Sequence, residues 1–205
     1  MRLILYILFG YLSGSVLYAR VFSRCLHRSQ VLEGSDDGNP GAANAFKYGG
    51  FWCGALTLAG DLAKGFAPVF LYCLSTRRLG LPLDWGLTLM LAAPVIGHIL
   101  PVFHHFRGGK GIAVSFGCLL GLLPRVEPVL ILAAAFLFFT LVVRIKPDFY
   151  CTAASFIVAA VAMFLLVPAP QVSGGFAVTA LAVCLKLHSS KEERGEVKVS
   201  LGWRS

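Results

Sequence analysis

The sequence predicts an all-α, polytopic membrane protein with about seven transmembrane or membrane-embedded helices. Of its 205 residues, 57% are hydrophobic and only 14% are charged, whereas soluble domains carry about 45–50% apolar and roughly 25% charged residues. A soluble core of this length would leave much of that apolar surface exposed, because small domains keep a large surface area for their volume. The apolar residues also gather into long stretches, many of them near the length of about 20 residues that crosses a bilayer.

Seven apolar stretches follow one another along the chain. No small-residue cleavage site follows the first of them, so it is predicted to stay in the protein as a span. The fourth is short and rich in glycine, which fits a tilted span or a re-entrant helix, and five or six helices remain alternative counts. Residues 1–188 are expected to form one membrane-embedded helical domain, followed by a short polar cytoplasmic tail, 189–205. The stretches are 3–22, 49–74, 82–104, 110–124, 127–144, 149–167 and 171–188.

The basic residues predict the orientation of these helices. With the N-terminus outside, thirteen lysines and arginines fall on the inner side and four on the outer side. Positive charge concentrates in the cytoplasmic loops of membrane proteins, so the N-terminus is predicted outside the cell membrane and the C-terminus in the cytoplasm. The net charge of +8 is explained by topology and anionic lipid alone, or by these together with a phosphate-bearing substrate.

The first inner loop, residues 34–44, reads Gly-Ser-Asp-Asp-Gly-Asn-Pro-Gly-Ala-Ala-Asn. A glycine-rich backbone can turn several N–H groups toward one point, and such concavities bind anions. Ser35, Asn39 and Asn44 would add side-chain donors, and Lys47 a positive charge. The same composition is common in ordinary turns, so this loop alone leaves both interpretations open.

The second inner loop, residues 97–111, carries a glycine pair between Arg107 and Lys110, just before a predicted helix. Backbone donors, a helix dipole and two cations would then converge on one spot. The loop is not a nucleotide P-loop, because Gly111 follows Lys110 where that motif requires Ser or Thr. Two cationic, glycine-rich loops on one membrane face indicate a substrate that carries phosphate groups.

These motifs resemble those of the bacterial acyl-phosphate:glycerol-3-phosphate acyltransferase family. Residues 95–117, Val-Ile-Gly-His-Ile-Leu-Pro-Val-Phe-His-His-Phe-Arg-Gly-Gly-Lys-Gly-Ile-Ala-Val-Ser-Phe-Gly, match nearly the whole second family motif. Residues 34–44 resemble the first motif, and Asp-Leu-Ala-Lys-Gly at 61–65 matches the Asp-x-x-Lys-Gly of the next span. Tyr-Cys-Thr-Ala-Ala-Ser at 150–155 resembles the third motif, and His188 stands where the last helix of the family ends with a histidine.

The resemblance covers most of the chain and implies one acyl transfer reaction. A fatty acyl group would pass from acyl phosphate to sn-glycerol 3-phosphate, giving lysophosphatidic acid and inorganic phosphate, the first step of phospholipid synthesis. Since an acyl phosphate is already activated, the reaction needs no serine or cysteine nucleophile, and no cofactor is expected. No metal site is predicted, because His104 and His105 have no nearby carboxylates with which to bind a metal ion. The implied partners are these two substrates and membrane lipids, with no nucleic acid, at a site facing the cytoplasm.

The resemblance also assigns roles to individual residues. Ser35, Lys110 and His188 are the implied catalytic residues, with Lys110 neutralising the donor phosphate and His188 donating a hydrogen bond or shuttling a proton. The glycine pair before Lys110 would cradle the donor phosphate, while the first loop would line the phosphate sites. The implied substrate-binding residues are Gly38, Asn39, Gly41, Asn44, Lys47, Arg107, Gly108, Gly109, Gly111 and Thr152.

Several positions depart from the family pattern. Ala43 replaces a threonine, Lys47 an arginine and Lys191 an asparagine, and Asp36-Asp37 places two extra negative charges beside the first loop. Lysine lacks the bidentate geometry with which arginine binds phosphate. These changes leave open an inactive or re-purposed relative. A transporter of an anionic solute is a further alternative, although the chain shows no inverted repeat.

Asp61, Lys64 and His98 lie well inside predicted spans. Asp61 and Lys64 are three residues apart and therefore share one helix face. Charges within a membrane are costly and often functional, but a mutual ion pair that holds the helices together is the interpretation we favour. His98 is interpreted as a packing or hydrogen-bonding residue.

Overall fold

Helices make up 75% of the chain in the computed structural model, which describes residues 1–28, 30–33, 39–82, 84–190 and 196–201. A 3₁₀ turn at Val102–His104 follows α5, and a π-helical segment at Phe138–Val142 continues α7. Two short strands are β1 (Val143–Lys146) and β2 (Lys198–Leu201). The helices are α1 (Arg2–Gly14), α2 (Tyr18–Cys25), α3 (Gln30–Glu33), α4 (Ala42–Arg78), α5 (Gly86–Ile99), α6 (Ile112–Leu120), α7 (Glu127–Leu137), α8 (Asp148–Leu166) and α9 (Pro170–Ser189).

Each predicted apolar stretch contains a helix, which confirms the mostly helical fold. Three helical stretches are long and apolar enough to cross a membrane: Gly86–His104, Asp148–Leu166 and Pro170–Ser189. The pair α1 and α2 passes the same test as one span bent by 42°. The side chains at the end of α8 are apolar and exposed, with 79% of Leu165 accessible, as expected of a helix that faces lipid.

The first stretch, predicted as a single span, is interrupted between Gly14 and Tyr18. Val16 lies in the break, and its carbonyl oxygen accepts a hydrogen bond from Lys64 Nζ at 2.6 Å. A backbone break inside a membrane protein persists only where other groups satisfy the freed carbonyls. The interruption of this span is therefore stabilised by a side chain from α4, which the local sequence does not reveal.

The long helix α4 begins seven residues before the stretch predicted at 49–74 and contains its own interruption. Gly50 has a φ of +81°, a left-handed backbone conformation that glycine adopts without steric cost. Residues 42–49 form a separate first segment that begins within the predicted first inner loop, 34–44, and ends where the predicted stretch begins. This segment carries the end of the first inner loop and Lys47 to one end of the molecule.

The helices approach one another closely where small residues meet. On the face between α4 and α6, a side chain at Gly65 would collide with the carbonyl oxygen of Val114, and one at Gly117 with that of Leu62. Small residues at helix interfaces allow such approach in membrane proteins. The helix α5 packs against both α1 and α9, and α8 packs against α9. The start of α6 is thereby held against α4 and the end of α5.

A small sheet corrects the all-α prediction. The strands β1 and β2 pair antiparallel, with Val143 opposite Leu201 and Lys146 opposite Lys198. Alternating β-branched and charged residues suit such a half-exposed strand. The first two residues of β1 were included in the apolar stretch predicted at 127–144, and the other two were predicted as a loop. Its partner lies in the segment predicted as a polar tail.

Candidate active site

A cavity of about 1110 Å³ opens at one end of the helices. Its walls come from the two predicted inner loops and from the start of α8. Side chains from the middle of α4 and the end of α5 form its inner end. The lining residues are Asn39, Gly41, Ala42, Ala43, Asn44, Lys47, Leu58, Asp61, His98, Lys110, Gly111, Ile112, Ala113, Phe116, Lys146, Pro147, Asp148 and Thr152.

Three helices begin at this cavity. The first residues of α4, α6 and α8 are Ala42, Ile112 and Asp148, and all three line it. The first four N–H groups of a helix have no partner within it, and the aligned peptide dipoles place a partial positive charge there. The caps are Gly41, Gly111 and Pro147, whose side chains cannot accept these hydrogens. The starts of α4 and α6 therefore favour an anion, while α8 carries the acidic Asp148 in its own first turn.

The first inner loop folds onto the start of α4 through Asn39. The carbonyl oxygen of Asn39 accepts hydrogen bonds from the Gly41 amide and from Asn44 Nδ2, both at 2.9 Å. Lys47 is exposed one turn further on, with Nζ 4.8 Å from the centre of the Tyr48 ring. All four predicted residues from Asn39 to Lys47 line the cavity. Ser35 and Gly38 lie outside the described residues, as do Asp36 and Asp37.

The second inner loop folds back on the end of α5. The amides of Gly108 and Gly109 donate to the carbonyl oxygens of Ile99 and His98 at 3.2 and 3.1 Å. A Cβ at Gly109 would collide with His98 Nε2, and one at Gly108 with the His98 carbonyl oxygen. The two glycines therefore serve the close approach of loop and helix, and their amides are not directed into the cavity.

The remaining residues of this loop divide between cavity and surface. Lys110 and Gly111 line the cavity, and α6 starts immediately after them, as the sequence predicts. Gly111 has a φ of +85°, so a residue other than glycine would be strained there. Arg107 is exposed and is not part of the lining, although its position in the motif made it a predicted binding residue.

Lys146 adds a cation to the rim that the sequence analysis did not assign. It precedes α8 and lies 3.4 Å from Asp148 in an ion pair whose side chains are 72% and 77% exposed. Such exposed pairs contribute little, at most about 1 kcal/mol. In the sequence Lys146 lies between the stretches predicted at 127–144 and 149–167, and it was counted only among the basic residues of the inner side.

Thr152 and His188, the two predicted site residues from the last helices, are placed differently. Thr152 is 8% exposed and lines the cavity one turn into α8. His188 is exposed in the last turn of α9 and is outside the lining. Lys191 lies outside the described residues.

A buried polar network lies beneath the cavity. Lys64 Nζ is 2.8 Å from Asp61 Oδ1 and 2.8 Å from His98 Nδ1, and none of these three residues is more than 3% exposed. The predicted ion pair of Asp61 and Lys64 is confirmed. Asp61 and His98 also line the cavity, which sequence reasoning missed, although charges inside a span were a signal for function.

No group of three or more His, Cys, Asp and Glu side chains within the described ranges is arranged to hold a metal ion. The cavity combines three lysines with helix N-termini, apolar side chains, His98, the Thr152 hydroxyl and the carboxylates of Asp61 and Asp148.

The chain is similar to a known family of membrane proteins along most of its length. The family of glycerol-3-phosphate acyltransferases matches residues 4–194. The chain belongs to this family. Among its relatives, the glycerol-3-phosphate acyltransferase of Ralstonia nicotianae is 43% identical over 113 residues, 55% of this chain and 54% of that protein. The one from Chromobacterium violaceum is 38% identical over 141 residues, 69% of this chain and 66% of that protein. The chain thus spans between half and two thirds of the length of these curated relatives.

Solved structures extend the likeness to nearly the whole chain. The glycerol 3-phosphate form of PlsY, an integral membrane glycerol 3-phosphate acyltransferase, is similar with a TM-score of 0.76 and 25% identity, over 92% of this chain and 89% of that one. Its lysophosphatidic acid form gives a TM-score of 0.73 and 26% identity, over 91% and 88%. The chain thus has the helical fold of these integral membrane proteins.

Proposed function

We propose that this acyltransferase transfers a fatty acyl group from an acyl phosphate to sn-glycerol 3-phosphate, giving lysophosphatidic acid and inorganic phosphate. The observation that carries the proposal is the convergence of three helix starts and three lysines, Lys47, Lys110 and Lys146, on one cavity. Both substrates carry phosphate, and helix N-termini with nearby cations bind phosphate groups. A cavity with several such elements suits a reaction between two phosphate esters or anhydrides.

The two inner loops would bind the two phosphate groups separately. Lys110, Gly111 and the start of α6 would hold the phosphate of the donor. Asn44, Lys47 and the start of α4 would hold that of the acceptor, with Ser35 and Gly38 completing the first loop. Thr152 would add a hydroxyl from α8, and His188 a hydrogen bond or a proton relay from the end of α9.

An apolar wall gives the fatty chain a place beside these polar groups. Leu58 from α4 and Ile112 and Phe116 from α6 line the same cavity. The acyl chain would lie along them and extend toward lipid, while its phosphate stays at the start of α6. The transferred carbonyl would then sit between the two phosphate sites.

The reaction needs positioning more than covalent participation. The acceptor hydroxyl oxygen attacks the carbonyl carbon, the bond from that carbon to the phosphate oxygen breaks, and the hydroxyl proton passes to the departing phosphate. Holding hydroxyl and carbonyl in contact lowers the barrier by proximity. Fixed N–H donors and Lys110 would stabilise the negative charge that develops on the carbonyl oxygen and the leaving phosphate.

The membrane arrangement is part of the same proposal. Seven membrane-embedded helices within 1–188, with the N-terminus outside, would place the cavity at the cytoplasmic face of the inner membrane, where both substrates are present. The segments 39–47, 110–113 and 146–148 lie at that predicted inner side, and the cavity unites all three.

The decisive experiment is phosphate release by the purified protein from palmitoyl phosphate, with and without glycerol 3-phosphate. Release that requires glycerol 3-phosphate and yields lysophosphatidic acid is the expected result. A folded protein that releases no phosphate either with or without glycerol 3-phosphate would contradict the proposal. Uptake of glycerol 3-phosphate into liposomes without acyl phosphate would favour a transporter instead.

A further inference from the structure

His98 contacts a buried ion pair on one side and the cavity on the other, which a residue that only fills space between helices would not require. It lies one residue before the end of α5, is 3% exposed, and borders both the polar network below and the cavity above. Its two ring nitrogens therefore face different surroundings. Nδ1 meets Lys64, and Nε2 meets the backbone of the second inner loop at Gly109.

The contacts of Lys64 fix the tautomer of this histidine. A lysine ammonium has three hydrogens and no acceptor. One partner is the carboxylate of Asp61 at 2.8 Å, and a second is the carbonyl oxygen of Val16 at 2.6 Å. The third is His98 Nδ1 at 2.8 Å, which must accept. The ring proton is then on Nε2, since the hydrogen bond at one ring nitrogen determines which nitrogen is protonated.

His98 Nε2 lies beside Gly109 of the second inner loop, where only the missing side chain of glycine leaves room next to it. A side chain at Gly109 would overlap His98 Nε2 and would also come within 3.2 Å of Asn39 Oδ1, so Nε2 lies at the meeting point of the two inner loops. Asn39, Lys110 and Gly111 line the cavity around it. A neutral N–H donor is thus held by a buried network at the place where both predicted phosphate-binding loops converge.

We propose that His98 binds substrate directly, with Nε2–H donating a hydrogen bond to a phosphate oxygen held between Asn39 and Lys110. Lys64 is then a positioning residue that sets the tautomer, and Asp61 holds Lys64 in place. The inference rests on the proposed function for the identity of the substrate, but the donor itself requires only a phosphate group. It also gives Gly109 a reason beyond packing, because any side chain there would cover the donor.

Two substitutions separate this role from a structural one. His98→Asn places an amide near Nδ1, where it can accept from Lys64, but leaves no donor at the position of Nε2. His98→Gln places an amide N–H near Nε2, but leaves Lys64 without its acceptor. A purely structural histidine is better replaced by asparagine, whereas a substrate-binding histidine is better replaced by glutamine.

The expected result is a loss of about 10–100-fold in kcat/KM for His98→Asn, the cost of one hydrogen bond to a charged group. His98→Gln should retain at least several times more activity than His98→Asn. Equal activities, or a more active His98→Asn, would overturn the proposal and leave His98 as a partner of Lys64 alone.

A binding measurement keeps this test independent of turnover. Glycerol 3-phosphate, palmitoyl phosphate and inorganic phosphate are each added to detergent-purified protein, and the rise in unfolding temperature is recorded. At least one should stabilise the wild type and His98→Gln more than His98→Asn, even if the wild type proves inactive as an acyltransferase. Equal stabilisation of all three proteins would refute the inference.

If both variants fail to fold, the wild type still answers the question. Its ¹⁵N-histidine spectrum should show a buried ring with the proton on Nε2, whose signal shifts when the stabilising phosphate compound is added. A proton on Nδ1, or a signal that does not respond, would overturn the proposal.

Discussion

Replacing Lys64 with methionine tests the buried network beneath the cavity. The substitution keeps an unbranched side chain but removes the charge that lies 2.8 Å from Asp61, leaving a carboxylate that is 2% exposed without its counter-ion. Removing one partner of a buried ion pair costs about 3–5 kcal/mol. The Val16 carbonyl also loses its 2.6 Å hydrogen bond, and a buried acceptor left without a partner costs about 1–3 kcal/mol. We expect Lys64→Met to lower the free energy of unfolding by at least about 3 kcal/mol.

The double substitution Asp61→Asn with Lys64→Met supplies the matched comparison. It removes both charges, and replacing a whole buried pair by neutral groups is often nearly neutral. The double variant should therefore be more stable than Lys64→Met alone by about 2 kcal/mol. The control is Arg78→Met at the exposed end of the same helix, which should change the free energy of unfolding by less than about 1 kcal/mol.

The assay is reversible unfolding in mixed micelles, with the fraction of denaturing detergent increased stepwise and the free energy of unfolding extracted for each variant. A Lys64→Met protein as stable as the wild type would refute the reasoning. So would a double variant whose loss equals or exceeds that of Lys64→Met, because the remaining carboxylate would then not be the source of the cost.

Three further predictions address the cavity and its rim. Lys110→Ala should lower kcat/KM for palmitoyl phosphate by about 100-fold without unfolding the protein, because a charged contact to the reacting group is lost. The control Arg125→Ala, at an exposed position, should match the wild type. Near-full activity of Lys110→Ala would show that this lysine is not part of the site. Gly111→Ala should lower the unfolding temperature, because the backbone φ of +85° is unfavourable for alanine and the new Cβ would lie only 2.9 Å from a neighbouring side chain. The control Gly174→Ala should leave the unfolding temperature unchanged, since its Cβ would have no atom nearer than 3.5 Å. Equal effects of the two substitutions would exclude strain as the cause. Lys198→Glu should slow hydrogen exchange in β1 and β2, because it turns a like-charged cross-strand pair into an attractive one; faster exchange would contradict this register.

The sequence was informative where the physical cause is local. The apolar stretches predict helices because lipid requires runs of about 20 apolar residues, and each stretch contains a helix. The glycine-rich loops lead into helices at Ala42 and Ile112, and Asn39, Lys110 and Thr152 all reach one cavity. These features depend on composition and spacing over a few residues.

The features that were missed depend on partners far apart in the chain. The break at Val16 is stabilised by Lys64, and His98 meets that same lysine from a third helix. The two glycines of the second inner loop looked like phosphate ligands, but their amides bond to the end of α5. The strand β1 forms because a segment more than fifty residues later pairs with it. No local pattern specifies these contacts.

The pairing of β1 with β2 has a consequence for biogenesis. The two strands are separated in sequence by α8 and α9, so β1 remains an unpaired edge until both of those helices have entered the bilayer. Lys146, at the end of β1, reaches its final place only then, and an isolated two-stranded pair is marginally stable even when formed. The cavity rim beside Lys146 is therefore completed late, after α8 and α9 have inserted and β2 has paired with β1.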